Sequence, residues 1–160
     1  MPHHTIEYII MFPLLFTQLL LFPFLVNVLV SSLQYSQRQD SLEYVADYLG
    51  SVIRKLYFYA NLEDISPGTI TQKSPLPPTI DGKPFTAIGS LVIPSNPDLG
   101  RTLHISLKID ELGNTATTEV ILGSNVDWRS SIFRSDSFDA SINAQKFPDD
   151  TILLFFGGGG

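Results

Sequence analysis

Tyr8-Ile9-Ile10-Met11-Phe12-Pro13-Leu14-Leu15-Phe16-Thr17-Gln18-Leu19-Leu20-Leu21-Phe22-Pro23-Phe24-Leu25-Val26-Asn27-Val28-Leu29-Val30-Ser31-Ser32-Leu33 is the stretch on which the fold turns. A membrane span takes about 20 apolar residues at a rise of 1.5 Å each. Ile9–Val30 meets that length, with only Thr17, Gln18 and Asn27 polar inside it. No Asp, Glu, Lys or Arg occurs from Tyr8 to Gln37. A secretory signal has a shorter apolar core behind a basic flank; the flank here reads Met-Pro-His-His. Residues 8–33 are therefore expected to form one helix, lodged in a membrane or in an equally apolar packed assembly. Pro13 and Pro23 lie within it and each removes a backbone N–H, so both are expected to kink the helix. Neighbouring helices or local adjustments can satisfy the freed carbonyls.

Outward from this stretch the character changes. Every Lys and Arg lies at Arg38 or later, and Glu7 is the only carboxylate before Asp40. The formal charge of -6 on 160 residues thus belongs almost wholly to the C-terminal part. That balance speaks against binding a phosphate backbone, which needs a basic footprint, so no nucleic-acid partner is expected. Arg38, Arg54 and Lys55 follow the apolar stretch but are interspersed with Asp40, Glu43 and Asp47, so the positive-inside rule gives no firm orientation.

From Leu42 the apolar residues fall at Leu42, Val45, Leu49, Val52, Leu56 and Tyr59, one stripe along a helix, widened by Ala46, Ile53 and Ala60. Ser31–Gln39 is either a hinge or part of one continuous helix reaching Leu62, which would be about 80 Å long. The spacing predicts that residues 40–62 pack on a following domain. Gly50 would let that domain approach, at a cost of about 1 kcal/mol against alanine.

Ser66-Pro67-Gly68 is expected to stop the helix, and 63–78, with Ser-Pro-Leu-Pro-Pro at 74–78, to be a linker. Residues 79–160 then read as a β-rich head. Asp81-Gly82 marks a tight turn before a strand at 85–93. Leu103, Ile105, Leu107 and Ile109 alternate with polar residues, and 115–122 should return antiparallel. A short apolar strand closes the head at 151–156. Between 125 and 150 the pattern is broken, with Trp128, Ile132, Phe133 and Ile142 as core contributors. The expected fold class is α+β: a long N-terminal apolar helix, then a small antiparallel sheet or sandwich of about four to six strands.

Motifs that carry chemistry are sparse. The chain has no cysteine, which removes disulfides, thiolate metal sites and Cys nucleophiles. His104 falls on the polar face of its strand and no Gly-x-Ser-x-Gly elbow accompanies the serines. Asp110, Glu111 and Asn114 are oxygen donors in a turn that lacks EF-hand spacing. His3-His4 are adjacent, whereas ligands on one helix face are spaced by three or four. No cofactor, no metal site and no catalytic residue is expected, and the chain is read as a non-enzyme.

Thr5-Ile6-Glu7-Tyr8-Ile9-Ile10-Met11-Phe12-Pro13-Leu14-Leu15 resembles the start of type IV pilin-like proteins, most of all the archaeal pilins and the Tad-type (TadE-like) pseudopilins. Those carry a glutamate, an aromatic residue, an apolar run and a Pro-Leu-Leu a few positions on. The likeness covers roughly the first thirty residues, and the order of a long helix before a β-rich head agrees with it. It implies a structural subunit that resides in the membrane, is handled by pilus assembly machinery, and then joins copies of itself in a cell-surface filament. By the same likeness Glu7 would neutralise a neighbouring copy's N-terminal amine. Its alternative role is that of a carboxylate favoured by the helix dipole at a helix start. The other reading of the whole chain is a non-polymerising, membrane-anchored accessory protein that binds a partner through its head.

Overall fold

The structure, a computed structural model, describes residues 3–96, 99–109 and 112–158, and side chains from Met11 onward. Its fold is α+β. Helix α1 spans His3–Ala60 and contains Pro13 and Pro23; Ser31–Gln39 is helical throughout. Eight strands follow: β1 Gly68–Lys73, β2 Phe85–Val92, β3 Thr102–Ile109, β4 Thr115–Ile121, β5 Val126–Trp128, β6 Ile132–Arg134, β7 Ser141–Lys146 and β8 Ile152–Gly157. By its contacts the chain forms two compact units, residues 1–37 and 38–160.

The second unit is built on two four-stranded sheets, ordered β1-β7-β8-β5 and β4-β3-β2-β6. All pairs are antiparallel except β5 with β8. The alternation predicted for β3 holds, with Leu103, Ile105, Leu107 and Ile109 fully buried. Across the ladder they meet Leu91, Gly89, Ala87 and Phe85 of β2. Residues 42–60 of α1 complete the core. Leu42, Val45, Ala46, Leu49, Val52, Ile53, Leu56 and Ala60 are buried in the same cluster as both sheets. Layers that hide one apolar face each are stable only when stacked in this way. At Gly50 a side chain would come 3.2 Å from Val120 Cγ2 and 3.3 Å from Thr118 Cγ2, so the glycine serves the close approach of helix to β4.

Several expectations need correction. The helix ends at Ala60, before Ser66-Pro67-Gly68, where the apolar stripe runs out. Beyond that end the Lys146 ammonium donates to the Leu62 carbonyl at 2.8 Å, a cation placed where the helix dipole favours one. Within the stretch expected as linker, residues 68–73 form β1, paired with β7 along its whole length. There are eight strands among the described residues, more than the four to six expected, because β5 and β6 have three residues each and too little length to show a period. Tyr59 is exposed and Tyr57 is buried in its place. Ile132 is exposed too, whereas Phe133 and Ile142 lie fully buried as expected.

The turn at Asp81-Gly82 has the expected form. Both residues have positive φ, at 50° and 73°, and Ile80 and Lys83 exchange backbone hydrogen bonds of 2.9 and 3.0 Å. That is the two-residue hairpin geometry that Asp-Gly favours. The two sheets meet through aromatics. Trp128 of β5 and Phe133 of β6 both set their rings edge-on to Phe156 of β8. Buried Gly89 makes room for the indole: any side chain there would overlap the Trp128 ring.

Candidate assembly helix

The first unit is α1 up to Gln37, and from Met11 to Val30 its composition leaves no polar face. From Met11 through Gln37 every residue is exposed. Phe12, Leu19 and Phe22 are 70 % exposed or more, and even the most covered large apolar residue of the stretch, Val26, is 40 % exposed. The helix is long and apolar enough to cross a membrane. Soluble proteins rarely leave an apolar patch of this extent uncovered unless it is an interaction surface. At about 25 cal/mol per Å² of apolar area buried, the drive to cover it is large.

Polar side chains are few from Met11 to Val30: Thr17, Gln18 and Asn27. Thr17, four residues after Pro13, donates its hydroxyl to the Pro13 carbonyl at 2.7 Å. The hydroxyl is thereby satisfied within the helix, which makes it compatible with an apolar surrounding. Beside Pro23 a groove of about 720 Å³ is lined by Leu15, Leu19, Leu21, Phe22, Leu25 and Gln18. A groove of that character admits an apolar side chain from outside, with the Gln18 amide as the one polar contact. The Glu7 carboxylate and the His3-His4 pair belong to side chains outside the described residues.

His104 Nδ1 lies 3.2 Å from Glu119 Oε1 across the β3–β4 ladder, with both side chains substantially exposed. Asp110 and Glu111 fall outside the described residues. Asn114, from the same turn, is buried and its amide donates to Gln39 Oε1 at 3.2 Å. Among the described residues no group of three or more His, Cys, Asp or Glu could hold a metal ion. A groove of about 520 Å³ between the helix and the β1–β2 connection is lined by Asp40, Tyr44, Val45, Pro77, Ile80 and Asp81. Arg38 is ion-paired to Asp81 at 2.6 Å.

The polar contacts of the head instead fix the helix to the sheets. Tyr57, outside the apolar stretch, donates to Asn125 Oδ1 at 2.7 Å, and the Asn125 amide donates to Asn61 Oδ1 at 2.9 Å and the Asp150 carbonyl at 2.8 Å. Burial raises the Tyr57 phenol above its usual range, against a smaller opposing effect of a backbone hydrogen bond from Gly123. None of these pairings has a local sequence signal, since the partners lie 25 to 68 residues apart. No protein-family model, curated protein or solved structure matches the chain.

Proposed function

We propose that this chain is a structural subunit of a type IV pilin-like filament, in which the apolar N-terminal helices of many copies pack together and the β-heads face outward. The observation that carries the reading is the exposure of large apolar side chains all around α1 from Met11 to Leu33. A helix apolar on every side needs an apolar surrounding on every side, and either lipid or other copies of the same helix would supply it. The resemblance of residues 5–15 to pilin-like N-termini favours other copies as the final surrounding, with the membrane as the place of residence before assembly.

In such a core a carboxylate at the apolar edge is costly unless paired, and a neighbouring copy's N-terminal amine is a suitable partner for Glu7. Glu7→Ala is expected to abolish filament assembly while the chain still inserts into membranes, measured by comparing sheared and membrane fractions. Undiminished filaments from that variant would remove the pairing role. The second reading, an anchored accessory protein that does not polymerise, rests on the same helix meeting the length and composition of a membrane span. Recovery of the wild-type chain solely from detergent-soluble, non-filamentous fractions would favour it.

A further inference from the structure

The two sheets of the head each end in one long strand with an unpaired side. Among the described residues β1, six residues, has β7 as its sole neighbour, and β4, seven residues, has β3 as its sole neighbour; the opposite edges, β5 and β6, have three residues each. The phase of the ladders is set by bonds at their ends. Ser74 N–H donates to the Ala140 carbonyl and Leu122 N–H to the Arg101 carbonyl. In an antiparallel pair, backbone groups point alternately toward and away from the partner. Gly68, Ile70 and Gln72 therefore face β7, while Thr69, Thr71 and Lys73 present N–H and C=O outward. On β4, Ala116, Thr118 and Val120 face β3, while Thr115, Thr117, Glu119 and Ile121 face outward. The Thr115 carbonyl is already taken by the Gln39 amide at 2.8 Å.

We propose that the β1 edge of one copy adds, antiparallel, to the β4 edge of a second copy. Thr69 then lies opposite Ile121 of the second copy, Thr71 opposite its Glu119, and Lys73 opposite its Thr117. A row of outward N–H and C=O groups is matched by another extended backbone, and this register pairs all three free residues of each edge. It also ends where both edges end. The next pair would set Pro75, which has no N–H, against Thr115, whose carbonyl is already bonded within its own chain. Lys73 comes diagonal to Glu119 of the second copy, within reach of a long side chain. The side chains of Thr69, Thr71 and Lys73 lie on the face away from the core, as do those of Thr117, Glu119 and Ile121, so the joined sheets keep their apolar faces on one side.

Like-edge pairs fit less well. Two β4 edges in antiparallel register centre one Glu119 on the other, and two β1 edges bring together strands whose one charged residue is Lys73 in both. A β1–β4 contact joins different patches and therefore propagates head to tail rather than closing as a dimer. It concerns the heads alone and so goes beyond the helix-core reading.

The cysteine-free chain makes the contact testable by disulfide trapping. Directly opposite, hydrogen-bonded residues have Cα atoms about 5.5 Å apart, inside the range a disulfide spans. The full-length chain carrying Thr69→Cys and Ile121→Cys, oxidised after assembly, is expected to give a reducible ladder of dimers, trimers and longer adducts. Each single variant should stay monomeric, and a mixture of the two singles should stop at dimers. Adding Thr71→Pro, which removes an outward backbone donor and the hydroxyl's bond to Asn143 while sparing the backbone bonds to β7, should reduce the ladder several-fold with Trp128 fluorescence unchanged. Glu119→Lys should reduce it as well, and recover when combined with Lys73→Glu. A folded double-cysteine variant without adducts, or a single variant that dimerises, would overturn the contact. If that variant misfolds, Thr71→Cys with Glu119→Cys tests the same register. Filaments without the ladder would refute this contact and leave the helix-core reading standing; a ladder without filaments would do the reverse.

Discussion

Two residues of the head have roles that follow from what their neighbours leave no room for. Gly89 sits buried on β2 under the Trp128 indole, and any Cβ there overlaps the ring. Gly89→Ala should destabilise the head by about 1–3 kcal/mol, the usual range for forcing extra volume into a packed core. The chain has one tryptophan, so a denaturant titration followed by Trp128 emission reads this directly, and an unchanged midpoint would contradict the packing described. Tyr57 is the second case. Its phenol is held neutral by burial, which outweighs the opposing hydrogen bond from Gly123, and donates to Asn125 Oδ1. A raised folded pKa means that the unfolded chain ionises first, so the contribution of Tyr57 is intact below about pH 10 and is lost as pH rises through the folded value. Tyr57→Phe should cost about 1 kcal/mol at neutral pH and flatten the alkaline decline in stability, as followed by thermal melts across that range.

Among the elements, legibility tracked how local the determinants are. The helix from Leu42 to Ala60 and the β3–β4 hairpin were readable because their periods, 3.6 and 2, repeat over enough residues to be recognised. One detail of the helix slipped for a physical reason. A 3-4-3-4 stripe has a period of 3.5, and an α-helix of period 3.6 drifts from it by about 20° per heptad. By the end of the stripe the buried position has moved to Tyr57, leaving Tyr59 outside. β7 was invisible because Asn143 and Lys146 are polar residues that become buried only through remote partners. Thr71 donates to Asn143 Oδ1 at 2.7 Å, and Lys146 reaches the Leu62 carbonyl. β1 was masked by the prolines around it and is held by β7, some seventy residues away. The helix stripe carries its own prediction. Leu49, fully buried, should cost about 2–5 kcal/mol when cut to alanine. Leu19, exposed on the apolar stretch, should cost the folded head nothing on the same change. Equal losses at the two sites would contradict the division of the helix into a head-packing part and an uncovered part.

On the scale of the whole chain, the apolar stretch at 8–33 was legible from hydropathy alone, and its described side chains, from Met11 to Leu33, are all exposed. What covers it is the point on which the proposed function rests, since membrane lipid and neighbouring helices are equally apolar. In the second unit, polar contacts such as Tyr57–Asn125, Thr118–Asp47 and Lys146–Leu62 tie the helix and the turn after it to the sheets. The most direct test is electron microscopy of material sheared from cells that make this protein, labelled with an antibody to the head. The expected result is thin filaments decorated along their length, with the chain as a major constituent. Sheared material free of labelled filaments, with all of the chain left in the membrane as single copies, would contradict the account.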